Sequence, residues 1–165
     1  MYIGESMKKK RIEKTKNDAK IHFDSGFHCA ESVLSAIAYN HDIESELIPG
    51  IATGFCGGMG HTCGSCGAYM GAILGINMAL GRKDTSESTE DNYRAVQKLT
   101  EEFRDRFGSL NCTELLGHDL CSEEGRSQFV GDNLREIKCA KFTEGAAEIA
   151  AKIIEEYKES KDIPL

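Results

Sequence analysis

Three glycines four residues apart, Gly67, Gly71 and Gly75, lie in a stretch that otherwise reads as a helix from Cys66 to Leu80. Residues four apart share a helix face, so that face carries no side chains. Gly71 and Gly75 in a helix interior together cost about 2 kcal/mol relative to alanine. Something must require a bare surface to offset that cost, and close approach by another helix or by a cofactor would do so. The same region holds eight of the chain's seventeen glycines between Gly54 and Gly75, interleaved with Cys56, Cys63 and Cys66. A glycine-rich backbone turns through conformations closed to other residues and offers bare N–H groups. Closely spaced sulfurs can share a metal, a cluster or a disulfide. Thiolate chemistry is therefore the first expectation, and Gly57, Gly58, Gly60, Gly64 and Gly67 are the candidate cofactor-binding backbone.

The rest of the chain reads as helices joined by short connections. Residues 8–25 carry charged helix formers with Ile12, Ala19, Ile21 and Phe23 facing inward, and Gly26 ends them. A second helix begins near Cys29, buries Val33, Leu34, Ile37 and Ala38, and leaves through the polar Tyr39–Asp42. A short helix is expected over about 45–53, its regularity limited by Pro49. Residues 86–91 read as a loop and N-cap. They open a long amphipathic helix with Tyr93, Val96, Leu99, Phe103 and Phe107 at three- and four-residue spacing, stopped by Gly108. A single turn at 113–116 follows, then a helical stretch over 123–134 and a last helix over 143–159. That last helix buries Ala146, Ile149, Ala150, Ile153, Ile154 and Tyr157. No segment alternates as a strand does. The expected fold is all-α, a bundle of five to seven helices with the cysteine-bearing loops at one end.

At 165 residues one domain is expected, spanning 1–165 with a core of about 19–158 and mobile ends. The net charge of −7 disfavours nucleic acid, whose affinity comes from basic residues displacing counterions. Residues 1–20 hold seven bases against three acids, including the run Lys8–Arg11, which reads as a solvated helix face. There is no uninterrupted apolar run of about 18 residues and no signal-peptide pattern, so no membrane insertion and a cytoplasmic protein are expected. Seven cysteines in such a compartment point to metal binding, redox cycling or core packing over a disulfide framework. The bare helix face also permits a homodimer contact.

Cys63-Gly64-Ser65-Cys66 is a CxxC unit, which makes Cys63 and Cys66 the candidate catalytic dithiol. A thioredoxin-type fold needs a βαβ context that is missing here, and Gly67 stands where c-type haem attachment needs histidine. If Ser65 or Thr62 caps the following helix, Cys66 lies in its first turn. The helix dipole then contributes about 0.3–1 kcal/mol, less than one pKa unit, so substantial thiolate character needs a cation such as protonated His61 or a metal. His28 and His118 are further neighbours of cysteines. The glycine loop lacks the Gly-Lys-Ser/Thr ending of a phosphate-binding P-loop.

Three elements together resemble the redox-active family C_GCAxxG_C_C. They are Gly26-Phe27-His28-Cys29-Ala30-Glu31-Ser32-Val33-Leu34, Cys66-Gly67-Ala68-Tyr69-Met70-Gly71-Ala72, and Phe107-Gly108-Ser109-Leu110-Asn111-Cys112 with Leu115-Leu116-Gly117. Cys139 before Ala146-Ala147 completes the pattern, so the likeness covers roughly residues 19–155. The resemblance marks Cys29, Cys66, Cys112 and Cys139 as signature thiols and metal-ligand candidates, and implies a small helical redox protein with an iron–sulfur cluster. Cys56 and Cys63 stand where the family more often has glycine, and His118 where it often has cysteine.

Four cysteines from distant segments suit a cluster that ties helices together. The first functional expectation is electron transfer or redox sensing with a redox partner protein, Cys56 and Cys63 being nearby alternative ligands. The second is a thiol–disulfide oxidoreductase using Cys63 and Cys66, with Cys29 or Cys112 as resolving thiol. The third is a zinc-stabilised or structural interaction domain. Buried free cysteine also packs as a small hydrophobe, the competing reading for Cys29 and Cys121.

Overall fold

A computed structural model describes residues 2–161, and eight helical segments carry the chain through them. These are α1 (Tyr2–Asp24), α2 (Cys29–Asn40), α3 (Cys56–His61), α4 (Gly67–Leu80), α5 (Glu90–Phe107), α6 (Cys112–Leu116), α7 (Glu123–Gly131) and α8 (Ala140–Lys161). No strand forms among the described residues, so the all-α expectation holds. The count passes the expected five to seven because the single turns α3 and α6 qualify as helices. The expected helix over 45–53 is replaced by a turn and a 3-10 segment, Gly50–Phe55. Met1 and residues 162–165, parts of the ends expected to be mobile, lie outside the described residues.

The bare face of α4 is closed by α2. A Cβ on Gly71 would stand 2.5 Å from the Ala30 carbonyl oxygen, and one on Gly75 would stand 2.5 Å from Ile37 Cδ1. Helix–helix approach is thus what the glycine spacing serves, and this face is taken within the chain and is not available to a second copy.

The alanine- and isoleucine-rich α8 packs against α1, α2, α4 and α5. Its Ala146, Ala147, Ala150, Ile153 and Ile154 are fully buried with Leu99 and Phe103 of α5. Small residues let four neighbours approach one helix closely. Salt bridges rim these contacts: Arg11 to Glu155 (2.8 Å) and Lys8 to Glu159 (2.7 Å) join α1 to α8, and Arg106 to Glu148 (2.7 Å) joins α5 to α8. Lys8 and Arg11 of the basic run therefore face acids of α8, which holds α1 to the bundle from Lys8 onward, ahead of the expected core start. Ile21 and Tyr93, expected inward, are exposed, while Ala95 takes the inner position on α5. His41, expected at a polar exit, is buried beside Lys158 and Glu155.

Two segments depart from regular α-helix near the cysteines. From Gly57 to His61 every φ lies between 55° and 65°, so α3 is a left-handed turn. Left-handed winding costs about 1–2 kcal/mol for each residue with a Cβ, and three of these five residues are glycine. The second is a π turn, Arg135–Cys139, that leads directly into α8.

Candidate functional site

Five cysteines, Cys29, Cys56, Cys66, Cys112 and Cys139, line one cavity of about 390 Å³. All five are free thiols, and each comes from a different segment. Cys29 opens α2, and Cys56 follows the 3-10 segment. Cys66 is the N-cap residue of α4, Cys112 opens α6, and Cys139 ends the π turn. The remaining wall is largely apolar, with Phe23, Leu115, Leu116, Phe129 and Phe142, while His28, His61, Arg126 and Arg135 add the polar part.

Local structure explains why the sulfurs meet. Residues 64–66 run extended beside residues 110–112: Cys66 N–H donates to the Leu110 carbonyl at 2.7 Å and Cys112 N–H to the Gly64 carbonyl at 3.0 Å. This short ladder sets Cys66 and Cys112 side by side. The left-handed turn then folds over Cys112, so closely that a Cβ on Gly58 would stand 2.8 Å from Cys112 Cβ. Gly67 meets Cys29 the same way, its missing Cβ falling 2.5 Å from Cys29 Sγ. Of the glycines singled out in the sequence, Gly57, Gly60 and Gly67 line the cavity. Gly58 backs Cys112, and Gly64 lies under the Met59 side chain.

The thiols differ in acidity. Cys56 is lowered to about 7, chiefly by a hydrogen bond from the Cys29 thiol, with burial opposing and the Glu31 and Ala30 N–H groups at the start of α2 assisting. Cys29 is raised well above the ordinary thiol value by that same bond, by burial and by neighbouring sulfurs. Burial raises Cys66 and outweighs the N–H groups of Tyr69 and Ala68. Burial likewise pushes Cys112 and Cys139 up to about 12, with Arg135 opposing at Cys139. At Cys66 on α4 the helix dipole is too weak to make a thiolate without a cation or a metal, as its size leads one to expect, and the lowered thiol is Cys56, against the start of α2. That signal is tertiary, since Cys56 and the N–H groups it meets are 25 and 26 residues apart.

Cys63 stands apart from this set. It forms a disulfide with Cys121, 58 residues away, and is absent from the cavity wall. The CxxC pair is therefore not the bonded pair. The extended run 64–66 separates Cys63 from Cys66, and the left-handed φ of 59° at Cys63 turns it toward the loop after α6. Nothing in the local spacing marks Cys121 as its partner. His28 and His61 line the cavity, whereas His118 pairs with Asp132 at 3.2 Å and Gln128 at 3.1 Å.

Among the described residues one compact trio of metal-ligand atoms lies within 4.8 Å of one another, and it is Cys63, Asp119 and Cys121. The cavity sulfurs are spread more widely around a larger space. Cysteine sulfurs are the donor type that an iron–sulfur cluster takes, and these five line one cavity. Among the described residues no helix is long and apolar enough to cross a membrane.

The model of the family described as "putative redox-active protein (C_GCAxxG_C_C)" matches residues 27–153. No curated protein and no solved structure matches the chain significantly.

Proposed function

Because the chain belongs to the C_GCAxxG_C_C family of redox-active proteins, we propose that the five-cysteine cavity is its redox centre, with Cys29, Cys66, Cys112 and Cys139 holding an iron–sulfur cluster. The observation that carries this reading is the convergence of all four signature cysteines, from four segments, on one cavity. A bound cluster would supply one-electron chemistry there for electron transfer or redox sensing. The chain's own residues prepare the place. Phe23, Phe129 and Phe142 give the sulfurs an apolar wall. Arg135 is held at the wall by bonds to the Phe23 carbonyl (2.5 Å) and the Phe27 carbonyl (3.1 Å), and its charge offsets thiolate charge at Cys139. A nearby fixed cation favours the more reduced, more negative state and so raises the potential. The raised thiol pKa values mean that ligation must displace protons, so uptake should strengthen with pH.

Anaerobic reconstitution with iron and sulfide tests the reading. Stoichiometric iron and acid-labile sulfide with sulfur-to-iron charge-transfer absorption are expected, and both should fall in Cys112→Ser. Zinc alone in elemental analysis of oxygen-free protein would replace the cluster with a zinc-stabilised domain.

The packing of Cys29 against the cluster that holds Cys56, both meeting Gly67, favours a second reading, thiol–disulfide exchange at this pair. In it the Cys56 thiolate attacks a substrate disulfide and expels one thiolate. The Cys29 sulfur, giving up its proton, then attacks Cys56 and releases the second substrate thiol, leaving a Cys29–Cys56 disulfide. Mapping of oxidised cysteines in metal-free protein distinguishes it, because the pair should disappear together from alkylation.

A further inference from the structure

The Cys63–Cys121 disulfide lies outside the cavity and has a carboxylate beside it. Asp119 Oδ1 is 2.8 Å from Cys63 Sγ and accepts the Cys121 N–H at 2.7 Å. Sγ of Cys63, Sγ of Cys121 and the Asp119 carboxylate lie within 4.8 Å of one another, with Asp119 and Cys121 exposed to solvent. We infer that these three residues form a second, redox-gated site, which binds a zinc-type divalent cation only when the disulfide is reduced.

The donor set argues for the class of ion. Two thiolates and one carboxylate are ligands that Zn²⁺ takes at about 2.0–2.3 Å, with water completing four-coordination, and they suit Mg²⁺ or Ca²⁺ poorly. Positioning argues that the donors stay together after reduction. On one side, the Asn111 side chain donates to the Cys63 carbonyl at 2.8 Å, and Gly64 N–H donates to the Gly58 carbonyl at 3.1 Å. On the other, Arg126 donates to the Leu120 and Cys121 carbonyls at 2.9 and 3.0 Å, and Ser122 Oγ donates to the Asp119 carbonyl at 3.1 Å. None of these bonds needs the disulfide. The two loops are held in register by their own polar contacts, and the Arg126 charge tempers the excess negative charge of two thiolates and a carboxylate.

The gating step balances with a dithiol as reductant. Its two sulfurs pass two electrons to the Cys63–Cys121 bond, which breaks to two thiols as the reductant closes to its own disulfide. The cation then displaces the two thiol protons to solvent and binds the thiolates with the Asp119 carboxylate. Oxidation reverses this: both sulfurs are used in bonding to each other, and the ion leaves.

Co²⁺ is the probe, added anaerobically to full-length protein after dithiol reduction and removal of the reductant. Cobalt per chain and tetrahedral thiolate–cobalt absorption are compared among wild type, Cys63→Ser, Cys121→Ser and Asp119→Asn. The wild type should bind one equivalent more than either serine variant, and Asp119→Asn should weaken that equivalent at least tenfold. Asp119→Asn keeps every thiol, so its result stands even if a serine variant folds poorly. Reoxidation of loaded wild type should release this equivalent with the loss of two titratable thiols. Equal cobalt stoichiometry in wild type and Cys121→Ser, or unchanged affinity in Asp119→Asn, overturns the inference. Neither outcome depends on what the cavity binds.

Discussion

Gly71→Ala is the most incisive perturbation of the α2–α4 contact. In an open helix position the change gains about 1 kcal/mol of helix propensity. Here the new methyl would lie 2.5 Å from the Ala30 carbonyl oxygen and 2.8 Å from Ala30 Cα. Both are backbone atoms of α2, so no side-chain rotation relieves the contact, and the two helices must part by roughly 1 Å to restore ordinary van der Waals distance. Overpacking of this kind typically costs about 1–3 kcal/mol, and rigid backbone places it at the upper end. Net of the propensity gain, Gly71→Ala should destabilise by about 2 kcal/mol, a fall in Tm of about 4–8 °C for a chain of this size. Gly75→Ala meets Ile37 at Cδ1 (2.5 Å), Cγ2 (2.9 Å) and Cβ (3.1 Å), of which only Cδ1 can swing aside, and should also destabilise, somewhat less than Gly71→Ala because no backbone atom is met. Gly4→Ala on exposed α1 has nothing within 4 Å and should be neutral or slightly stabilising. Urea and thermal denaturation of the three variants, under one redox condition, give the order directly. A Gly71→Ala protein as stable as wild type would refute the claim that the glycine face exists for backbone approach.

Four further outcomes are expected. Neutral His41 is held at a pKa of about 4, chiefly by burial and also by Lys158, with Glu155 opposing. A histidine lowered on folding contributes stability above its unfolded value near 6.5 and loses it as pH falls toward 4. Wild type should therefore lose about 3 kcal/mol more than His41→Gln between pH 7 and 4 in urea titrations, and parallel curves would contradict this. Arg135 stacks 3.8 Å over the Phe23 ring while donating to two carbonyls, so Arg135→Ala should cost about 2 kcal/mol by thermal unfolding, with Arg135→Lys recovering only part. Phe103→Ala removes a fully buried ring packed against Tyr69 and Phe107 and should cost about 3–5 kcal/mol by chemical denaturation. Reducing the Cys63–Cys121 bond, which closes a separation of 58 residues, should lower stability by about 4 kcal/mol, read as a Tm shift on adding reductant to metal-free protein.

Much of the bundle was legible because its signals are local. The 3.6-residue stripe through Leu99 and Phe103, the stop at Gly108, and the small-residue face of α8 all follow from spacing along one helix. Gly67, Gly71 and Gly75 foretold a close approach without naming α2 as the approaching element. The signature cysteines could be named from the resemblance, and the cavity gathers all four. Two features of the site had no local signal. Cys56 gains its acidity from Cys29 and the first N–H groups of α2, and Cys63 finds Cys121 through the ladder between residues 64–66 and 110–112. A CxxC spacing suggests a bonded pair only when the intervening chain winds as a helix, and here it runs extended. Ile21 and Tyr93 obey helical periodicity yet face solvent, because the neighbours that decide which part of an apolar arc is covered are themselves distant in sequence.

The π turn at Arg135–Cys139 carries one more residue than the same length of α-helix would hold. One residue corresponds to a rotation of about 100°. The face that Arg135 presents is thereby offset from the phase of α8, which takes in Cys139 through the Thr143 hydroxyl bond to its carbonyl at 2.8 Å and is fixed by its alanine and isoleucine seam. Deleting one residue between Arg135 and Cys139 would leave Cys139 and the downstream seam in register and swing Arg135 off its place over Phe23. The placing of this cation beside Cys139 is thus set by a miscount in the helix, and a one-residue deletion would strip the charge from the centre while leaving α8 in phase.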